Sequence, residues 1–255
     1  MSPTENDTRQ LTGLDAVKDA LDRGDALGLV MVGREALDVD PAVKELVSRA
    51  EAAGINIRVA APRELERMSR TLPVSPILAL RGDAPVATLD ELMHAKGAVW
   101  LLSRIAYGTN AGFAIRTVEV AGAVGVVVDD HLATAQLRKA ALRASIRADR
   151  YMPVLWTPAE DAVDAGLRAG RRLVGIEDTG THAPWDAELA GDDVLFVVGG
   201  EQEGIPPAIL ARCHDVVCLP MFGFIPSYNL QAAVAAVAAE RLRQLAQHGA
   251  NTKEK

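Results

Sequence analysis

The chain has 255 residues, of which 49% are hydrophobic and 24% charged, values typical of a globular protein with one large domain or two smaller ones. Its longest apolar runs are strand-length, well short of the roughly 20 residues that cross a bilayer. The net charge of −7 argues against a protein that coats nucleic acid without specificity. Because residues 1–7 are also too polar for a secretory signal, we expect a cytoplasmic protein with no membrane partner.

Helical and strand-like patterns alternate through the first part of the chain. Helices are predicted at 14–21, at 41–53 and from Pro62 onward, and strands at 26–32, 55–59 and 77–80. Residues 71–96 are interrupted by prolines and are predicted to form a linker. The sequence thus predicts a small α/β domain with its linker over residues 1–96.

A second, longer alternation of strands and helices begins at Gly97. Strands are predicted at 98–105, 124–128, 153–156, 172–176, 194–198 and 216–219. Helices are predicted at 110–122, 133–146, 159–169, 206–213 and 227–246. This alternation indicates a parallel sheet covered by helices on both faces, a fold that binds ligands at the carboxyl ends of its strands. Residues 97–255 are therefore predicted to form one domain, with its site in the loops that follow the strands.

Polar or glycine-rich motifs follow the first, fifth and sixth of these strands, at residues 107–117, 198–204 and 219–230. Taken singly, each has a simple structural explanation, because Asn110, Ser227 and Asn229 can cap helices and the glycines can form a tight turn. Arg116 can likewise be a surface cation. The glycines lack the G-x-G-x-x-G spacing of nucleotide-binding oxidoreductases, and the G-x-S-x-G elbow of many hydrolases is absent from the sequence.

Basic residues recur at intervals of three or four over residues 136–150. On a helix this spacing would gather most of them on one side, as a solvated face or as a contact for an RNA backbone. The residues concerned are Arg138, Lys139, Arg143, Arg147 and Arg150.

The cysteines and histidines do not form a pattern typical of a metal site. Cys213 and Cys218 stand five residues apart without a second pair, so we expect reduced, partly buried thiols. The run Asp129-Asp130-His131 follows a predicted strand and is explained by capping of the next helix. We therefore expect no metal.

In this order, the three motifs resemble those of the SpoU/TrmH class of RNA 2′-O-ribose methyltransferases, which belongs to the SPOUT superfamily. The first family motif is matched by Asn110, Gly112, Ile115, Arg116 and Thr117. The second is matched by Gly199, Gly200, Glu201 and Gly204, and the third by Pro220, Met221, Ser227, Tyr228 and Asn229. The resemblance extends over roughly residues 98–246, and residues 11–80 are similar to the small α/β RNA-binding domain that precedes many members' catalytic domains.

Several positions depart from the family pattern. Tyr228 stands where leucine is usual, Gln202-Glu203 make the second loop more acidic, and the aspartate and proline common before Asn110 are missing. The basic segment also lacks the glycine that usually follows shortly after Ala144-Ser145. Because the polar residues of the reaction centre are present, we expect retained activity on a substrate that the sequence does not identify.

The resemblance implies a parallel sheet with a C-terminal trefoil knot, S-adenosylmethionine as the cofactor, and a homodimer with active sites at the subunit interface. The final helix, with its apolar stripe from Leu230 to Leu245, would supply part of that interface or pack on its own sheet. The residues expected to bind the cofactor are Val198, Gly199, Gly200, Glu201, Gly204, Leu219, Pro220, Met221, Ser227, Asn229 and Leu230.

The expected catalytic residues are Asn110, Arg116, Glu201, Ser227 and Asn229. A guanidinium is a poor base, so Arg116 is expected to anchor a phosphate and act electrostatically. Ribosomal RNA is favoured over tRNA as the substrate, since members with such an N-terminal domain commonly act on ribosomal RNA and some confer antibiotic resistance. A tRNA methyltransferase and a non-catalytic RNA-binding module of the same fold are the alternatives.

Overall fold

A computed structural model describes residues 9–82, 85, 87–131 and 133–253 of the chain. The polar segment at residues 1–7 lies outside the described residues. The chain divides into two compact units, Met1–Pro85 and Val86–Lys255. This division falls eleven residues before the predicted boundary at 96/97, so the end of the expected linker is part of the second unit.

The first unit is a four-stranded sheet with helices. Its elements are β1 (Gln10–Thr12), α1 (Leu14–Arg23), β2 (Leu27–Gly33), α2 (Arg34–Val39), α3 (Pro41–Ala52), β3 (Ile57–Ala60), α4 (Pro62–Met68) and β4 (Ile77–Arg81). The strand order is β1-β4-β2-β3, in which only β2 and β3 run parallel. All seven residues of β2 are buried; the strand lies inside the sheet, and Val30 and Val32 pack in core clusters that include residues of α3.

The second unit is built on a six-stranded, all-parallel sheet with the order β10-β8-β9-β5-β6-β7. Its strands are β5 (Val99–Leu102), β6 (Gly125–Asp129), β7 (Val154–Thr157), β8 (Arg172–Ile176), β9 (Val194–Val198) and β10 (Asp215–Val217). Its helices are α5 (Leu89–His94), α6 (Gly108–Val120), α7 (Ala135–Ala144), α8 (Ala159–Arg168), α9 (Pro207–Leu210) and α10 (Leu230–Lys253).

Side chains alternate between the two faces of this sheet, so helices cover both. Trp100 and Leu102 point to the face covered by α6 and α10, where the Trp100 and Phe196 rings stack with centroids 4.4 Å apart. Val99 and Leu101 point to the opposite face, covered by α5 and α8. The predicted parallel sheet with two covered faces is confirmed.

The apolar stripe of α10 packs mainly on its own sheet. Leu230, Val234 and Val237 are buried in the core beneath α10, whereas Leu242 is 46% exposed. Of the two explanations offered for this stripe, packing within the chain accounts for its first half. The trefoil knot stays a prediction, and among the described residues no helix has the length and apolar character needed to span a bilayer.

The predicted first strand was too long. It was expected at 98–105, but β5 ends at Leu102 because Arg104 adopts a left-handed backbone conformation with φ of 55°. The turn directs the chain into α6, which contacts α7 closely at its glycines. A Cβ atom on Gly112 would lie 2.4 Å from the carbonyl oxygen of Ala141, so this motif glycine is needed for helix packing.

Candidate active site

The three motif loops meet at the carboxyl-terminal edge of the second sheet. β9 lies between β5 and β8, and β10 follows β8, so the segments after these strands open on one side. The second and third loops line a cavity of about 540 Å³, and the first loop contacts its wall through Glu201. Of the residues expected to bind the cofactor, those lining it are Val198, Gly199, Gly200, Glu201, Gly204, Leu219, Met221, Ser227, Asn229 and Leu230. Pro220 is outside this lining.

Glu201 connects the second motif to the first. One carboxylate oxygen accepts a 2.6 Å hydrogen bond from Nδ2 of Asn110, and the other accepts a 3.2 Å bond from the backbone N–H of Ala106. The two motif residues are 91 positions apart in the chain. Their contact places a cavity-lining carboxylate against the start of α6.

The glycines of the second motif allow the loop to fold tightly on itself and on the β5 loop. A Cβ atom on Gly199 would lie 2.1 Å from the carbonyl carbon of Gly204, and one on Gly200 would lie 1.9 Å from the carbonyl oxygen of Arg104. Gly204 has a φ of 64°, a conformation that glycine adopts at little cost. The simple explanation of these glycines, a tight turn, therefore applies, and that turn forms a wall of the cavity.

Glu177, which the sequence analysis missed, supports the same turn from β8. Its carboxylate accepts a 2.7 Å hydrogen bond from the backbone N–H of Ile205, and its own N–H donates to the carbonyl of Val217. Glu177 and its neighbour Asp178 both line the cavity. The available signal was a pair of carboxylates directly after a predicted strand.

The third loop ends in a helix cap. Asn229 accepts a 2.9 Å hydrogen bond from the N–H of Gln231 through its side chain, and its carbonyl accepts bonds from the first turn of α10. Tyr228 donates a 3.0 Å hydrogen bond from its hydroxyl to the carbonyl of Pro220, which joins the two ends of the loop. Leucine, usual in the family at this position, has no group for that bond.

Arg116 is not brought to the cavity within one chain. Its side chain is exposed on α6 and is outside the described lining. Phe113 and Val120, which lie three and four residues away on the same side of the helix, are also exposed, at 46% and 68%. The structure thus brings Asn110 into contact with Glu201 in the cavity wall, but it leaves Arg116 on an outward, partly apolar face.

Asp129, at the end of β6, binds three backbone N–H groups. Its carboxylate accepts hydrogen bonds from the N–H groups of Arg104, His131 and Ala159. The Arg104 guanidinium lies 3.8 Å from it and 3.9 Å from Glu203. No group of three or more potential metal-ligating side chains is present in the described part of the chain.

The expected basic helix face is only partly formed, and its prediction at 133–146 was too long. α7 ends at Ala144, and after the capping residue Ser145, Ile146 and Arg147 have φ values of 54° and 61°. Such values favour glycine, the residue that is usual in the family near this point and missing from this chain. Arg147 instead forms a bidentate ion pair with Asp149, and Arg138 lies over the Trp156 ring.

Among the predicted RNA contacts, Lys139 and Arg143 remain as exposed cations on α7. Arg150 lies beyond the helix, in a 3₁₀ turn at 148–150. The helix ends before Arg147 and Arg150, so three of the five cations lie on α7, and their contact with RNA stays a prediction.

The cavity wall is acidic. Its described lining contains the carboxylates of Glu177, Asp178, Glu201 and Glu203 and no lysine or arginine. Cys218 is part of the same wall, whereas burial raises the pKa of the nearby Cys213 thiol to about 11. Both cysteines are free thiols, as predicted. A cationic ligand is therefore electrostatically favoured in this cavity and a phosphate is disfavoured.

Comparisons with known proteins agree with the resemblance. Residues 98–239 match the SpoU rRNA Methylase family. A Mycolicibacterium paratuberculosis protein named as an uncharacterized tRNA/rRNA methyltransferase is 30% identical over 231 residues, covering 84% of this chain and 70% of its own length.

Two solved structures have the same fold. The SpoU methyltransferase AviRb from Streptomyces viridochromogenes aligns with a TM-score of 0.57 and 23% identity, covering 94% of this chain and 90% of its own. An AdoMet-bound rRNA methyltransferase from Sinorhizobium meliloti aligns with a TM-score of 0.58 and 21% identity over the same shares. At these identities the structural likeness concerns the fold alone.

Proposed function

We propose that this chain, which belongs to the SpoU rRNA Methylase family, transfers a methyl group from S-adenosylmethionine to a ribose 2′-hydroxyl of RNA. The observation that carries the proposal is a cavity lined by two distant motifs and joined to the third by the hydrogen bond between Glu201 and Asn110. A shared fold alone would leave the chemistry open, whereas these residues supply a specific site.

The cavity fits the proposed cofactor in size and in charge. Its volume of about 540 Å³ lies within the range of small-molecule sites, and its carboxylates suit a ligand that carries a sulfonium and an ammonium group. When bound, S-adenosylmethionine supplies an already activated methyl group, so the protein needs mainly to align the acceptor oxygen and assist loss of its proton. Glycine-rich backbone and apolar side chains of the second and third motifs would hold the cofactor.

Arg116 is proposed to act at the interface of a homodimer. It lies between Phe113 and Val120 on an exposed face whose apolar residues would be buried by a second copy of the chain. There its guanidinium would hold the substrate phosphate beside the acceptor and stabilise charge, while the phosphate or water removes the proton. Asn110 and Ser227 would orient the ribose, and Glu201 would fix the loop.

The first unit is proposed to bind the RNA substrate in the cytoplasm, with ribosomal RNA favoured. Its resemblance to the family's small N-terminal domain supports this role. The exposed Lys139 and Arg143 on α7 provide further contacts for an RNA backbone. A tRNA substrate is the second candidate, since the Mycolicibacterium relative is named for either RNA.

The experiment is transfer of labelled methyl from S-adenosylmethionine to unmodified total RNA. Arg116→Ala is expected to lower transfer by about 100-fold or more, in line with the loss of a charge-stabilising group. The matched control is Arg168→Ala, which removes an exposed arginine from α8 on the other face of the sheet. Equal transfer by wild type and Arg116→Ala would contradict the assigned role. No transfer by wild type that binds the cofactor would favour the non-catalytic alternative.

A further inference from the structure

Exposed aromatic side chains are concentrated in two of the three motif segments. The chain has few aromatics, four Phe, three Trp and three Tyr. The exposed ones are Tyr107, Phe113, Trp185, Phe222, Phe224 and Tyr228. Most of these belong to the first and third motif loops. Large apolar side chains left in water at a site are commonly contacts for a ligand or partner.

The third loop presents the most exposed of these rings. Phe222 is 98% exposed and Phe224 104%, so neither packs on the protein. The residues on either side of this segment, Met221 and Pro226, both line the cavity. The bond from the Tyr228 hydroxyl to the carbonyl of Pro220 closes the loop at its base. The two rings therefore lie on a loop whose two ends border the cavity.

The charge of the cavity indicates which part of an RNA can approach here. The described lining of the cavity has four carboxylates and no basic side chain, so the cavity wall itself does not attract a phosphate, whose proposed anchor is Arg116. A nucleobase is uncharged and flat, and unpaired bases stack on aromatic side chains in many RNA-binding proteins. By contrast, the apolar face around Phe113 and Val120 lies on α6 and suits a second copy of the chain.

We propose that Phe222 and Phe224 form a stacking platform for unpaired nucleobases next to the methylated nucleotide, and that the enzyme therefore takes single-stranded or looped RNA. The inference rests on the proposed RNA methyltransferase function. Tyr228 is a positioning residue in this arrangement, since its hydrogen bond holds the loop that carries both rings. Gly223 between them has open space around it, which leaves the rings room to adjust to a base.

The test compares two double variants of the full chain. Phe222→Tyr with Phe224→Tyr keeps aromatic rings, whereas Phe222→Leu with Phe224→Leu keeps apolar bulk without a π face. Both positions are fully exposed, so neither change removes core packing. The probes are a short fluorescein-labelled single-stranded RNA of mixed sequence and a duplex of the same sequence, with cofactor affinity measured on the same preparations.

The tyrosine variant is expected to bind the single strand like wild type, and the leucine variant roughly 5- to 150-fold more weakly for each base that no longer stacks on a ring. Duplex and cofactor binding should be unchanged in both. Equal single-strand affinity of the two variants would overturn the proposal, as would a leucine variant that only changes the oligomeric state. If wild type transfers no methyl but the leucine variant still loses single-strand affinity, the proposed function fails and the platform stands. If wild type methylates and the leucine variant keeps its KM for RNA, the platform alone fails.

Discussion

Replacement of Glu201 by alanine removes the link between the first and second motifs. Both hydrogen bonds of the carboxylate, to Asn110 and to the N–H of Ala106, are lost. Hydrogen bonds to charged groups contribute about 1.5–3 kcal/mol, and because Glu201 is exposed we take about 0.5–1 kcal/mol for each. The loop geometry should then be destabilised by about 1–2 kcal/mol, a fall of about 5- to 30-fold in kcat/KM for methyl transfer.

The control is Glu160→Ala, which removes an equal charge from the exposed side of α8. A double-mutant cycle of Glu201→Ala with Asn110→Ala should show an interaction energy of about 1 kcal/mol, because each single variant already breaks their bond. The cycle is measured by kcat/KM and by cofactor affinity. Additive effects, or a Glu201→Ala enzyme with kcat/KM within about twofold of wild type, would refute the role given to this carboxylate.

Three further perturbations follow from the packing of the second unit. Gly200→Ala would place a Cβ atom 1.9 Å from the backbone oxygen of Arg104, so calorimetry should show that cofactor affinity is lost. The control Gly223→Ala adds a Cβ atom in open space and should keep the cofactor affinity. Iodoacetamide should alkylate Cys218, and bound S-adenosylhomocysteine should block that reaction, as measured by mass spectrometry. Cys213, whose thiol has a pKa of about 11, should be alkylated slowly near neutral pH and faster as the pH rises. Arg171→Met would leave five backbone carbonyls without their donor and should lower Tm by about 10 °C.

The strands of the second unit could be predicted because long apolar runs in a parallel sheet are buried on both faces. Short elements were missed. α5 lies in the proline-interrupted stretch and has six residues, although Thr88 and Glu91 form a capping box that the sequence displays as T-x-x-E. β1 has only three residues, and pairing with β4 rather than its own pattern makes it a strand.

Some residues of the site could be predicted from their motifs, and others could be found only in the folded structure. Motif order identified Asn110 and Glu201, and the structure brings them into contact. Arg104 carries no local pattern and Glu177 only a carboxylate pair after a predicted strand, since their roles depend on backbone groups that only the folded sheet brings near. The end of α7 was misplaced because periodicity continues through residue 146, where the backbone already turns at a non-glycine residue.

The most direct test of the proposed chemistry is the chemical position of the transferred methyl group. RNA labelled by the wild-type protein from S-adenosylmethionine is digested to nucleosides, which are separated against 2′-O-methyl and base-methyl standards. Ribose 2′-O-transfer predicts all label in one 2′-O-methylated nucleoside, with resistance of the adjacent linkage to alkali. Label in a base-methylated nucleoside would contradict the proposed ribose acceptor while leaving the family assignment in place.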